Sequence, residues 1–155
     1  MSSAALLNDL KQGAVVTYHD NLDVYTITTD KVTLYLRTGA KEINISHSIN
    51  KVVDVKVIQL PDSASFSVFI FGKNLVSVCG VHSQNVEYFG EKALDHPISF
   101  VSVVGQTTVQ EGQETIEFIL GGEENASFDF MKVTVNQNKN MIKSTEYKFE
   151  LRNYF

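Results

Sequence analysis

Along much of this chain apolar side chains return at every second position, the period at which strand residues come back to one face of a sheet. Val32-Thr33-Leu34-Tyr35-Leu36 and Ile116-Glu117-Phe118-Ile119-Leu120 follow it, and both are predicted strands with one buried face. In Phe66-Ser67-Val68-Phe69-Ile70-Phe71 both sets of alternate positions carry aromatic or aliphatic residues. That is the pattern of an inner strand covered on two sides, so residues 66–71 are the predicted core. Turn residues punctuate these runs. Pro61-Asp62-Ser63, Gly72-Lys73-Asn74, Gly121-Gly122 and Asn136 to Asn140 place Gly, Pro, Asn and Asp where turns need unusual dihedrals or local side-chain bonds. One short helix is predicted over residues 1–12, with Ser2 or Ser3 as its cap, Ala4 to Leu10 as its body and Gly13 as its stop.

The strands recur in a fixed order. Second strands begin at Leu22, Ser65 and Thr115, third strands at Val32, Leu75 and Phe128, and fourth strands at Glu42, Asn85 and Glu146. First strands of the following units open at Val52 and Ile98. The last interval is stretched by the polar loop Asn136 to Ser144. Residues 13–155 are therefore read as a single all-β, antiparallel domain of about three repeat units. Four-stranded units repeating every 40–50 residues or so are propeller blades.

The strand order, the spacing and the run from a fourth strand straight into the next first strand, Glu42 to Leu60, resemble blades of a WD40-type propeller. The resemblance covers residues 13–155 and lies in order and spacing. The Gly-His and Trp-Asp signatures of that family are absent, and the chain has no tryptophan. It implies a protein-interaction scaffold without catalysis. Propellers close with four to eight blades, and fewer than three complete ones are predicted here, so the propeller would be incomplete. Self-association, a partner protein or a longer polypeptide would have to complete it. The same strands can alternatively close as a β-barrel or pack as a β-sandwich.

Composition narrows the classes. At 155 residues and 43% hydrophobic, the chain can bury a sizeable core without metals or disulfides. Cys79 is the sole cysteine, and no basic segment followed by an apolar one opens the sequence, so an intracellular location, cytoplasmic or nuclear, is expected. No apolar run approaches the ~20 residues of a membrane helix, and no membrane partner is expected. A net charge of −5 argues against direct nucleic-acid binding. The charge is also uneven. Between Lys92 and Lys132 there is no Lys or Arg, while Asp95, Glu111, Glu114, Glu117, Glu123, Glu124 and Asp129 fall inside. Such a stretch would steer a basic partner.

Catalytic chemistry leaves little trace. The sequence has no G-x-x-x-x-G-K-[ST] loop, no G-x-G-x-x-G, no H-E-x-x-H, no G-x-S-x-G and no Cys-x-x-Cys. Cys79 lies in an apolar strand and reads as a small buried hydrophobe. His82, close to Cys79 and Ser83, suggests a Cys–His or Ser–His pair on paper but reads as a turn residue. His19, His47 and His96 lack ligand spacing, and Asp20-Asn21 with Asp23 reads as a polar turn. No catalytic, cofactor or metal residue is assigned, and the chain is expected not to be an enzyme. The aromatic residues fall mostly in strands poor in basic residues, which favours core packing over a nucleic-acid stacking platform. The carboxy-terminal run Tyr147 to Phe155 alternates apolar with charged residues and is expected to join a sheet edge, its own or a partner's.

The expected function is that of a non-catalytic scaffold subunit of an intracellular multiprotein assembly, binding through exposed sheet edges and an acidic surface. The candidate partner-binding residues are Glu111, Glu114, Glu117, Glu123, Glu124, Tyr147, Phe149, Tyr154 and Phe155. A small-ligand-binding β-barrel and a viral or phage structural protein are the alternatives.

Overall fold

Among the described residues twelve strands follow one another: β1 Val15–His19, β2 Val24–Thr28, β3 Val32–Leu36, β4 Lys41–Ile45, β5 Asp54–Gln59, β6 Ser65–Phe71, β7 Leu75–His82, β8 Asn85–Ala93, β9 Phe100–Gln110, β10 Gln113–Gly121, β11 Phe128–Asn136 and β12 Glu146–Tyr154. The computed structural model describes residues 7–8, 10–19, 22–37, 39, 41–60, 65–82, 85–110, 112–122, 128–136 and 146–154. The strands form three antiparallel four-stranded sheets, ordered β1-β2-β3-β4, β5-β6-β7-β8 and β9-β10-β11-β12. In each, a strand pairs only with its neighbours in sequence, so the repeat read from spacing is present as three blade-like meanders. None of them closes into a barrel.

One expectation is corrected. The sequence predicts fewer than three complete units and places a second strand at Leu22 with no first strand assigned before it. β1 supplies the missing one, pairing with β2 from Val15↔Thr28 to His19↔Val24. Its sequence, Val-Val-Thr-Tyr-His, has no apolar alternation, and three of its five residues are exposed, so its place is fixed by pairing with β2 rather than by burial. Of the helix predicted over residues 1–12, the described residues 7–8 and 10–11 are helical, and the Gln12 N–H donates to the Asn8 carbonyl at 3.2 Å. Gly13 ends it at φ +84°, a left-handed conformation that favours glycine. The proposed caps Ser2 and Ser3 lie outside the described residues.

The middle sheet is packed on both faces, which is why β6 lacks alternation and every one of its residues is buried. Phe66, Val68 and Ile70, with Cys79 and Val81 of β7, meet Val24, Val32, Leu34, Ile43 and Ile45 of the first sheet. Phe69 and Phe71, with Val76 and Val78, meet Ile116, Phe118, Leu120, Met131, Val133 and Val135 of the third. Full burial of each large side chain stabilises the fold by about 1.5–3 kcal/mol. The Phe69 ring lies 5.0 Å from Phe118 and 6.3 Å from Tyr147, centre to centre. A polar contact crosses this second core, between the Ser67 and Tyr147 hydroxyls at 2.6 Å.

The β6–β7 turn anchors the crossing to the third sheet. The Leu94 and Ile98 N–H groups donate to the Asn74 and Lys73 carbonyls, each at 2.8 Å, and the Ser99 N–H donates to Gly121 O at 2.7 Å. A side chain at Gly72 would place its Cβ 2.7 Å from Ile49 Cγ2, so the turn requires glycine for space. With the chain so held, β9 comes alongside β5 and β12 alongside β8. The outward faces of the stack are more polar than its interior. Tyr18, Tyr25 and Tyr35 stand in register across the first sheet, with Glu42 next in line. Glu117, Lys132 and Glu150 form a charged row across the third.

Candidate functional site

The first strand of each sheet, β1, β5 and β9, lies on the same side of the stack, and a cleft of about 590 Å³ opens where their ends converge. Tyr18, His19 and Leu22 form one wall, Val57 to Leu60 the floor, and Gln106, Thr108 and Glu114 the far wall. Its volume falls within the range of about 300–1,000 Å³ that ligand pockets occupy.

Glu114 is the unusual member. The alternation that buries Ile116, Phe118 and Leu120 extends back to it along β10, placing a carboxylate on the core-facing side with only 5% of its surface exposed. A buried carboxylate is costly unless hydrogen-bonded or paired with a cation. Thr108, directly across the β9–β10 ladder, donates its hydroxyl to Oε2 at 2.8 Å. The Gln106 amide donates to Oε1 at 2.9 Å and also to the Gln59 carbonyl at 2.9 Å, tying β9 to the end of β5. Both partners are neutral dipoles, and among the described residues no cation pairs with Glu114. Asp129, the other buried carboxylate among the described residues, differs: His96 Nδ1 lies 3.1 Å from it.

On the opposite wall His19 Nε2 is 3.3 Å from the Thr26 hydroxyl. Burial, reinforced by the nearby Lys56 charge, pushes the imidazole pKa below its usual value, so His19 is neutral at neutral pH. Lys56 itself is paired with Asp54 at 3.1 Å. At the rim, Asp23 holds φ 54°, a left-handed conformation that Asp tolerates, and its Oδ1 accepts from the Tyr18 hydroxyl at 2.8 Å. Arg37 lies 3.4 Å from the same Oδ1, with its guanidinium 5.8 Å from the centre of the Tyr18 ring. That hydrogen bond to Asp23 is the main reason the Tyr18 phenol is held above its usual pKa.

The candidate residues read from sequence do not converge on one surface. Glu114 lines the cleft, whereas Glu117 stands on the outward face of the third sheet opposite Lys132. Tyr147 and Phe149 pack against the core between the middle and third sheets. Tyr154 belongs to β12, which pairs along its length with β11, so the carboxy-terminal run forms an edge of its own sheet. Glu111, Glu123, Glu124 and Phe155 lie outside the described residues. His82 sits in β7 opposite Ser65 of β6, and its Nδ1 contacts the Ser65 hydroxyl. Burial raises the Cys79 thiol to about 12, which makes it a poor nucleophile. Among the described residues no three His, Cys, Asp or Glu side chains come together as a metal set.

No family model and no curated protein matches this chain.

Beside the cleft runs the edge strand that sequence reasoning did not single out. β9 is the longest strand and pairs with β10 on one side only. From Phe100 to Gln110 it holds no charged residue and no proline. Two bulges turn Val104 and Val109 out of the ladder, and these are 49% and 59% exposed. The other edges are guarded. β4, β5, β8 and β12 carry Lys, Arg, Asp or Glu, and β1 has five residues. Charged side chains and short length are the usual protections of a free edge. The signal was legible, since the charge-free run lies inside the stretch already noted as lacking Lys and Arg.

Proposed function

We propose that this protein is a non-catalytic protein-interaction module of an intracellular assembly, and that it takes an extended segment of a partner protein along β9. The observation that carries the reading is the single long, uncharged, valine-bearing edge in a stack whose other edges are charged or short. Strand addition uses main-chain hydrogen bonds for affinity and alternate side chains for specificity, and β9 offers free main-chain groups and apolar side chains together. The WD40-like order of four-stranded units supports the same class, because blade repeats serve mainly as rigid platforms for such contacts. The polar outward faces of the first and third sheets make them poorer docking faces than β9.

Selection from a random peptide display library tests this. Wild-type protein should enrich peptides alternating β-branched or aromatic residues with polar ones. Replacing Val104 and Val109 together by Lys should weaken those peptides by about tenfold or more, roughly 1.4 kcal/mol, with an unchanged thermal midpoint. Peptides that bind both forms equally, or a library that yields none, would overturn the proposal.

A further inference from the structure

We infer that the cleft at the end of β9 is a specificity pocket for a basic side chain, Lys or Arg, carried by the segment that adds to β9. The inference rests on the strand-addition reading and names the chemistry its partner must present.

Four observations lead to it. Glu114 is an almost fully buried carboxylate whose two hydrogen bonds come from neutral donors, leaving acceptor capacity on both oxygens. It belongs to the lining of an open cleft, so an incoming group has access to it. The lining is mainly polar, but Val57, Ile58 and Leu60 in the floor and Leu22 in the near wall give an aliphatic stem a place to lie while its charged head reaches the carboxylate. Finally, the described lining residues supply no cation: His19 is neutral at neutral pH, and Lys56 beyond it is engaged by Asp54.

Position supports the same occupant. Gln106 and Thr108, the donors that hold Glu114, are β9 residues between the two bulges. A strand laid along this edge therefore passes the mouth of the cleft, and one of its alternate side chains turns towards Glu114. An arginine there can replace lost hydration with charge-assisted hydrogen bonds to the free carboxylate positions. A glutamate or aspartate would meet like charge in a poorly solvated site, so the cleft also selects against acidic segments. The acidic composition noted in the sequence thus acts through one buried residue rather than through a diffuse surface.

The test uses methylguanidinium and propionamide as probes of the isotopically labelled full chain, followed by amide chemical shifts. Methylguanidinium should give saturable shifts at residues 106, 108 and 114, and propionamide should give none. Glu114→Gln should abolish the shifts. Gln106→Lys, a change at an exposed position that places an internal cation beside Glu114, should do the same and serves as the check if Glu114→Gln fails to fold. Equal responses to both probes, or shifts that survive Gln106→Lys, would overturn the inference.

Peptides selected on β9 provide the second arm. They should carry Lys or Arg at one fixed position, and its replacement by norleucine should weaken binding about tenfold. If the peptides bind β9 but neither that replacement nor Glu114→Gln matters, the pocket is wrong and the strand reading stands. If free arginine binds as tightly as the peptides, the occupant is a small molecule and the inference falls.

Discussion

Replacing Tyr147 by Phe tests whether the hydroxyl contact across the second core holds the middle and third sheets together. Ser67 is fully buried, and its side-chain hydrogen bond is to the Tyr147 hydroxyl at 2.6 Å. Tyr147→Phe keeps the ring that packs edge-on against Phe69 but leaves the Ser67 hydroxyl facing hydrocarbon. A buried group stranded in this way costs about 1–3 kcal/mol, whereas removing both partners together is close to neutral. Single Tyr147→Phe should therefore lower stability by about 1–3 kcal/mol, and adding Ser67→Ala should recover most of that loss. In a domain of this size each kcal/mol corresponds to roughly 2–4 °C in Tm, so the single variant should melt about 2–12 °C lower. Urea unfolding of wild type, both singles and the double closes the cycle. A double variant at least as unstable as the sum of the singles would refute the reasoning, as would a Tyr147→Phe protein indistinguishable from wild type.

Phe69→Ala removes the ring at the centre of the core between the middle and third sheets and should cost about 3–5 kcal/mol by urea unfolding. Cys79 has a folded pKa raised to about 12 from an ordinary 9.0. Its stabilising effect is thus complete below pH 9 and is lost as pH rises from there towards 12, by up to about 1.4 kcal/mol per pH unit. Cys79→Val should flatten that alkaline decline, and the native thiol should react with a disulfide reagent at pH 8 only as fast as the chain unfolds. Gly122→Ala would bring a Cβ to 2.8 Å from the Pro97 carbonyl oxygen, a backbone atom, and should lower Tm where alanine at an open site would not.

Much of the fold was legible because sheets built from adjacent strands leave their period in the chain. β6, β7, β8, β11 and β12 start where alternation and turn residues put their first residues, and β6 announced its double burial through residues 66–71. β1 was not legible: Val15 to His19 lacks alternation, and its place is fixed by pairing with β2. The buried position of Glu114 follows by carrying the Ile116, Phe118, Leu120 period two residues back, a step that the charge of the residue discouraged. The contacts His82–Ser65 and His96–Asp129 depend on hairpin register and on how the sheets stack, which no local pattern encodes. Tyr147 and Phe149 looked like contact residues because their strand alternates with charge, yet the same alternation serves an edge strand that buries one face.

Every strand pairs only with its neighbour in sequence, and the middle sheet touches both others. Under tension applied at the two ends of the chain, no strand has to be drawn out from between distant partners. The outer sheets peel away first, one from each end, and the middle sheet, with both its faces stripped, is the last mechanical unit to give way. The force trace of such a molecule is a short staircase rather than a single rupture.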